Sequence, residues 1–224
     1  MCCMERHLTL KFSRRNLPHW LVADRTYFVT LRLKGTFPSR FLSRLREEKS
    51  RLEQASIDEK QRSEFNRDCF LKAEQILDAV SDVRWLDERS VAGAVIENFK
   101  WLTDRGWVIY AAVLLSTHIH LLMRNESGRS AHLLKDIGQF KRMTTFQINP
   151  LIQQTGSFWA REDFDHWIRT PEKFESAVRY IANNPVKAGR VKHWEEWKWT
   201  IIHESVRYCL ERKAVCEQTA LPTC

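Results

Sequence analysis

Glycine, proline and long apolar runs are scarce in this sequence. Its 224 residues include seven glycines and six prolines, too few for a fibrous or low-complexity chain. The longest purely apolar run, residues 107–115, falls far short of the ~20 residues that a membrane-spanning helix needs. Residues 1–16 mix charged and apolar side chains and lack a secretory signal pattern. We therefore expect a cytoplasmic protein without a membrane partner.

Cys-x-x-Cys pairs are also missing, which removes the usual signal for a zinc ribbon or a redox site. The six cysteines are Cys2, Cys3, Cys69, Cys209, Cys216 and Cys224. This spacing gives no disulfide framework and predicts reduced thiols.

Positive charge is in excess over negative charge. Lysine and arginine number 36 against 28 acidic residues, so the net charge is +8. A balance of this size favours a polyanionic partner, nucleic acid first and a membrane surface second. A basic protein without such a partner is the open alternative.

Apolar periodicity predicts a chain with both strands and helices. Residues 27–33 alternate as a strand, and residues 107–115 and 117–124 are two further strand-like segments that form either a hairpin or one long bent strand. Helical spacing covers residues 39–54, 66–80, 90–105 and 130–149, and a last helix begins at Pro171 and ends at Asn184–Pro185. A loop is expected at residues 157–169, whose mix of aromatic and charged side chains suits either bases stacked on rings or a hydrophobic cover over the core.

Two histidines, His118 and His120, interrupt the apolar stretch LLSTHIHLLM of residues 114–123. On a strand both point to one face, while the residues between and beside them point to the other. Paired neutral imidazoles on a rigid strand suit a metal ion. His-x-His alone is a weak motif, and chance placement on a polar face is the alternative.

Tyr180 and Asn184 lie one turn apart on the last predicted helix and therefore share a face. A metal ion held by His118, His120 and the amide oxygen of Asn184 would polarise a phosphoryl group. Tyr180 could then attack the phosphorus and form a phosphotyrosine link, which a DNA 3′-hydroxyl can reverse. Together these residues predict strand cleavage and rejoining, although a core tyrosine and a helix-ending asparagine are the ordinary alternatives.

Six stretches occur in the order found in one family of DNA-processing enzymes. They are YFVTLRLKG at 27–35, RWL at 84–86, YAAVLLSTHIHLL at 110–122, FKRMTTFQIN at 140–149, FWAREDFDHWIR at 158–169 and YIANNPVKAGRV at 180–191. On these stretches the chain closely resembles the Y1 transposases of the IS200/IS605 type, within the HUH endonuclease group. It resembles most of all the REP-associated tyrosine transposase branch, over about residues 20–202.

The resemblance implies an α+β fold, with a ferredoxin-like antiparallel sheet, helices on one face, and a helical insertion at about residues 39–89. Residues 1–19 would be an N-terminal extension and residues 203–224 a C-terminal tail. It also implies a nucleoid-associated enzyme that uses Mg²⁺ or Mn²⁺ to nick and rejoin single-stranded, hairpin-containing DNA through a 5′-phosphotyrosine. Monomer and homodimer both stay open.

The resemblance also assigns roles to single residues. Tyr180 matches the catalytic tyrosine, His118 and His120 match the metal ligands, and Asn184 matches the third, polar ligand. Basic residues at matching positions are expected to contact DNA: Lys141, Arg142, Arg161, Arg169 and Lys187.

Two places depart from the family pattern. Leu115, Ser116 and Thr117 stand where Met-Pro-Asn usually precedes the first histidine, and Arg190 replaces a residue that is usually apolar. The loss of the proline puts the geometry of the turn before His118 in question, more than the chemistry of the histidines.

Two other functions remain open from the sequence. A domesticated relative would recognise structured repeats without cutting them, and the basic charge would serve it equally well. A small-molecule phosphohydrolase built on His-x-His is the third reading.

Overall fold

The computed structural model of the protein describes residues 9–14, 18–54, 59–79, 81–128 and 130–211. Its strands are β1 Thr9–Arg14, β2 Pro18–Val22, β3 Thr26–Arg32, β4 Trp107–Leu114, β5 His118–Asn125, β6 Phe164–Trp167 and β7 Thr200–Ile202. β1 and β2 pair with each other in a small antiparallel sheet. The other five form one antiparallel sheet in the order β6-β3-β5-β4-β7.

The α-helices are α1 Ser39–Gln54, α2 Glu59–Asp78, α3 Arg89–Glu97, α4 Phe99–Thr103, α5 Leu133–Leu151, α6 Pro171–Lys187 and α7 Tyr208–Glu211. α1 and α2 form the predicted insertion after β3. β4 and β5 pair as a hairpin, which decides against one long bent strand. Within the described ranges, no helix is both long and apolar enough to cross a membrane.

Helices cover both faces of the five-stranded sheet. From β3 to β6 the chain runs strand, helices, strand, strand, helix, strand, which is the ferredoxin-like order. One face, with Val29, Leu31 and Leu121, packs on α3, α4 and α5. The opposite face, with Phe28 and Leu122, packs on α2 and α6. The predicted α+β class with its antiparallel sheet is confirmed. The expectation of helices on one face holds for α3–α5, but α2 and α6 cover the other face.

Two local predictions need correction. Residues 157–169 were expected to form a loop, yet Phe164–Trp167 is a strand because it pairs with the edge of β3. α6 was expected to end at Asn184–Pro185, but it continues to Lys187. Pro185 lacks an N–H donor, but it is itself buried, as are Ile181, Ala182 and Asn184 before it, and this packing holds the end of the helix on the sheet. Residues 212–224, the last part of the predicted C-terminal tail, lie outside the described ranges.

Candidate active site

His118 and His120 lie side by side on the face of β5 that α2 and α6 cover. In the antiparallel register His120 is opposite Thr30, and His118 is opposite Arg32. Both histidines are fully buried, and their Nε2 atoms lie 3.1 Å apart. The predicted strand placement of this pair is therefore observed, with both imidazole edges converging on one point.

Hydrogen bonds define which nitrogen of His118 carries its proton. The Thr117 hydroxyl donates its only hydrogen to the carbonyl of Leu77, 2.9 Å away. It must therefore accept from His118 Nδ1, 2.8 Å away. Burial first, and then the neighbouring His120, lower the pKa of His118 to about 3, so the ring is neutral at pH 7. Its Nε2 lone pair thus faces His120, as a metal ligand requires.

Glu74 of α2 is a third member of the cluster, and sequence reasoning missed it. Its Oε2 lies 3.1 Å from His120 Nε2, and the ligand atoms of Glu74, His118 and His120 all lie within 4.8 Å of one another. The signal in the sequence was a charged residue inside an apolar helical stripe, since Glu74 is one turn after Phe70. Burial raises the pKa of Glu74, but the charge and hydrogen bond of His120 outweigh it and lower that pKa.

Tyr180 joins the same cluster from α6. Thr170 caps this helix and Pro171 opens it, and Tyr180 lies on the buried side of the helix that packs on the sheet. The Tyr180 hydroxyl donates a hydrogen bond to Glu74 Oε2, and its ring centre lies 5.5 Å from that of His120. Burial and, next, the Glu74 carboxylate raise the pKa of Tyr180. The phenol is therefore protonated in this arrangement.

Asn184 lies one turn after Tyr180, as predicted, and is 1% exposed. Neither its Oδ1 nor its Nδ2 has a hydrogen-bond partner in the described part of the chain. Its amide is still close enough to Tyr180 to lower the pKa of the phenol. A buried amide without a partner costs free energy, so this residue has spare capacity for a ligand.

The donor set fits a divalent cation. It offers two imidazole nitrogens, a carboxylate and the Asn184 amide, and Glu74 Oε1 is also buried without a hydrogen-bond partner among the described residues. Mixed nitrogen and oxygen ligands suit Mn²⁺ better than Mg²⁺, which prefers oxygen ligands alone. Thr117 and Thr30, whose Oγ1 is 2.9 Å from His120 Nδ1, hold the two rings from behind, as outer-shell residues do in metal sites.

The cluster is closed to solvent. Its exposed fractions are 0% for both histidines, 4% for Glu74 and 6% for Tyr180. α2 supplies the cover through Phe70, Ala73 and Leu77, and the Thr117–Leu77 hydrogen bond ties that helix to the start of β5. A large substrate can reach these groups only if α2 moves away from them.

The five basic residues expected to contact DNA have different surroundings. Lys141 Nζ is 2.7 and 2.8 Å from the two carboxylate oxygens of Asp163, and both side chains are mostly buried. The other four are exposed: Arg142, Arg161, Arg169 and Lys187. Lys187 lies close to the candidate site, with its Nζ 5.6 Å from the centre of the Tyr180 ring.

The aromatic residues of the segment 157–169 mostly cover the core. Phe158 and Trp159 are 5% and 1% exposed, and Trp159 Nε1 donates to Thr144 Oγ1. Of the two readings of this segment, the hydrophobic cover therefore describes Phe158 and Trp159. Trp167 is only half-buried, and Arg169 stacks over its ring at 5.0 Å.

The two departures from the family pattern contact each other. The Arg190 guanidinium donates to Ser116 Oγ and lies 3.2 Å from Asp87. Ser116 in turn donates to Asp87 Oδ1 at 2.9 Å. A polar network thus holds the turn before His118 at the position where the family usually has proline.

The chain is similar to a sequence relative and to a solved structure. No family model matches the chain. A Haemophilus influenzae protein named "Putative REP-associated tyrosine transposase" is 29% identical over 105 residues, which are 43% of this chain and 60% of that protein. The chain thus spans less than two thirds of that relative. A solved structure of a REP-associated tyrosine transposase bound to a REP hairpin covers 93% of each chain at 18% identity and a TM-score of 0.49.

The sequence relative agrees with the resemblance drawn from the motifs. The sequence relative carries the name of the branch that the six stretches indicated. The chain is therefore similar to a REP-associated tyrosine transposase, the branch that its sequence resembles most.

Proposed function

We propose that this protein is a metal-dependent tyrosine transposase that nicks and rejoins single-stranded DNA carrying REP-like hairpins. One observation carries the proposal: Glu74 Oε2 accepts a hydrogen bond from Tyr180 and also lies 3.1 Å from His120 Nε2. A candidate nucleophile and a candidate metal ligand thus meet at one buried oxygen atom. A phosphohydrolase would have no need of the tyrosine.

His118, His120 and Glu74 would hold the cation, and Asn184 would supply a further oxygen. A bound divalent cation would polarise the phosphoryl oxygens and offset the negative charge that Glu74 places beside a phenolate. Thr117 and Thr30 keep the imidazole rings in place. Mn²⁺ is the better match to this donor set, with Mg²⁺ as the second choice.

Cleavage exchanges one phosphate ester for another. The Tyr180 oxygen forms a bond to phosphorus as the bond from phosphorus to the DNA 3′-oxygen breaks. The phenol loses one proton and the departing 3′-oxygen gains one, so the step is balanced. Rejoining is the reverse, with a 3′-hydroxyl attacking the 5′-phosphotyrosine.

The rest of the chain would position the DNA. Net charge of +8 attracts the phosphate backbone, and Arg142, Arg161, Arg169 and Lys187 are exposed to contact it. We retain Lys141 in this set, although its pairing with Asp163 must open first. α2 must also move away from β5 before a strand can reach Tyr180.

The test is formation of a covalent adduct. The full chain is incubated with hairpin-bearing single-stranded oligonucleotides from repeats that flank its gene, with Mn²⁺ or Mg²⁺, and run on a denaturing gel. We expect an adduct with the wild-type chain, none with Tyr180→Phe, and none with a chelator. Tyr110→Phe is the matched control, because Tyr110 lies on the same sheet but packs on Phe174.

An adduct that survives Tyr180→Phe would overturn the role of Tyr180. Hairpin binding that persists with a chelator, with no adduct under either metal, would instead support a non-cleaving DNA-binding protein.

A further inference from the structure

Arg32 is a buried cation on the strand beside the two histidines. The proposed reaction gives it no role. It is the last residue of β3 and lies opposite His118 in the antiparallel register. Directly opposed residues of an antiparallel pair point to the same face, so Arg32 shares the face of His118 and His120. It is 8% exposed.

The Arg32 side chain is poorly satisfied for a buried charge. Its Nε has no hydrogen-bond partner among the described residues, and its guanidinium carbon lies 4.1 Å from the centre of the Phe37 ring. Burial lowers the pKa of Arg32 to about 10, while the charges of Asp163 and Glu162 act the other way. It is still cationic at pH 7, and Asp163 already pairs with Lys141. A buried cation with an unused N–H costs free energy unless a ligand uses it.

We infer that Arg32 is the phosphate-binding residue of this site, where its guanidinium binds non-bridging oxygens of the DNA phosphodiester that Tyr180 attacks. The inference rests on the proposed function. Guanidinium groups bind phosphate oxygens through paired N–H donors, and such a donor stabilises charge that develops on a phosphoryl group.

One cover lies over both Arg32 and the metal-ligand candidates. Phe37, which stacks on Arg32, packs with Ala73 and Leu77 of α2, and Glu74 on the same helix contacts His120. Displacing α2 would therefore expose Arg32, His118 and His120 together. One movement of α2 would thus let a phosphate reach the Arg32 guanidinium and the proposed metal ligands at the same time.

Packing on Phe37 is the competing explanation for Arg32, and stability separates the two. A packing role predicts that Arg32→Gln melts at a clearly lower temperature, since a cation–π contact of this kind stabilises the fold. A binding role predicts little loss of stability, because the substitution also removes a poorly paired buried charge.

The first experiment measures binding without chemistry. The melting temperature of the full chain is followed as inorganic phosphate is added, with a chelator present. We expect phosphate to raise the melting temperature of the wild type and of Arg124→Gln, but not of Arg32→Gln. Arg124 is the matched control, because it is exposed on the same face at the other end of β5. An equal rise in Arg32→Gln, or no rise in the wild type, would overturn the inference.

The second experiment measures the rate of adduct formation with the hairpin oligonucleotide and Mn²⁺. We expect about a hundredfold loss in Arg32→Gln and a smaller loss in Arg32→Lys, which keeps the charge and the fold but not the paired donors. A wild-type rate in both variants would overturn the inference while leaving the proposed function intact. Absence of an adduct in the wild type would overturn the proposed function, whatever the phosphate titration shows.

Discussion

The two faces of the central sheet come from alternate residues of the same strands, yet they bury different chemistry. Toward α3–α5, β3 and β5 present apolar side chains such as Val29, Leu31 and Leu121. Toward α2 and α6 they present Thr30, Arg32, His118 and His120. Both faces are sealed from water, so burial does not distinguish them. The difference shows where the fold accepts costly buried polar groups, and in natural proteins such places coincide with functional sites.

The largest expected effect comes from breaking the apolar face. Leu31→Ala removes a fully buried side chain and should lower the free energy of unfolding by about 2–5 kcal/mol. The neighbouring substitution on the polar face, Thr30→Val, keeps the volume of the side chain. It should lower the free energy of unfolding by only about 1 kcal/mol, because it removes the hydrogen bond to His120. Urea unfolding of both variants measures the contrast. Equal losses would mean that the polar face is structural.

A second prediction concerns metal affinity on the polar face. Glu74→Gln keeps the size of the side chain and an oxygen for Tyr180, but removes the charge next to His120. We expect Mn²⁺ to bind about 10–100-fold more weakly, measured by calorimetry on the full chain without DNA. Glu97→Gln is the control, since Glu97 is exposed on α3. Unchanged affinity in Glu74→Gln would remove Glu74 from the proposed ligand set.

A third prediction uses the pH dependence of stability. His166 of β6 lies opposite Phe28 of β3, and its ring stacks on the Phe28 ring. Part of the side chain reaches the surface, but its Nε2 is buried and has no hydrogen-bond partner in the part of the chain that the structure describes. Burial, with the charges of Arg169 and Lys173, lowers the pKa of His166 to about 4. Unfolding restores a pKa of about 6.5.

Between these two pKa values, the His166 ring is protonated in the unfolded chain and neutral in the folded chain. Stability contributed by the neutral ring is lost as the pH falls from about 6.5 toward 4, by about 1 kcal/mol at pH 5.5 relative to pH 7. His166→Phe should lose less stability than the wild type between these two pH values, in parallel urea titrations. The exposed His193 provides the control substitution His193→Phe, and identical pH dependence in wild type and His166→Phe would contradict the assignment.

The contrast between the faces was largely predictable from alternation, whereas the closing of the site was not. Period-two spacing placed His118 and His120 together, and period-3.6 spacing placed Tyr180 above Asn184. Glu74 could not be assigned because nothing local shows which strand an inserted helix will cover. For the same reason the strand β6 was missed, since its pairing with β3 joins residues more than 130 positions apart in the chain.

The turn before His118 shows how far a single departure can be interpreted from sequence. The loss of proline at Ser116 and the gain of charge at Arg190 looked like separate changes, because the two residues are 74 positions apart. The structure joins them through Asp87, at 3.2 Å from Arg190 and 2.9 Å from Ser116. Their coupling depends on how α6 packs on the hairpin, which local pattern does not reveal.

The smallest expected effect tests this coupling. Ser116→Ala and Arg190→Ala should each cost less than about 1 kcal/mol, because both side chains are partly exposed and such pairs are screened by water. In the double variant the losses should fall short of their sum, since either substitution alone already breaks the hydrogen bond between them. A matched pair without contact, Ser116→Ala with Arg124→Ala, should add. If the Ser116–Arg190 pair also adds within about 0.3 kcal/mol, the network does not support the turn, and Thr117 alone must hold His118 toward the second histidine.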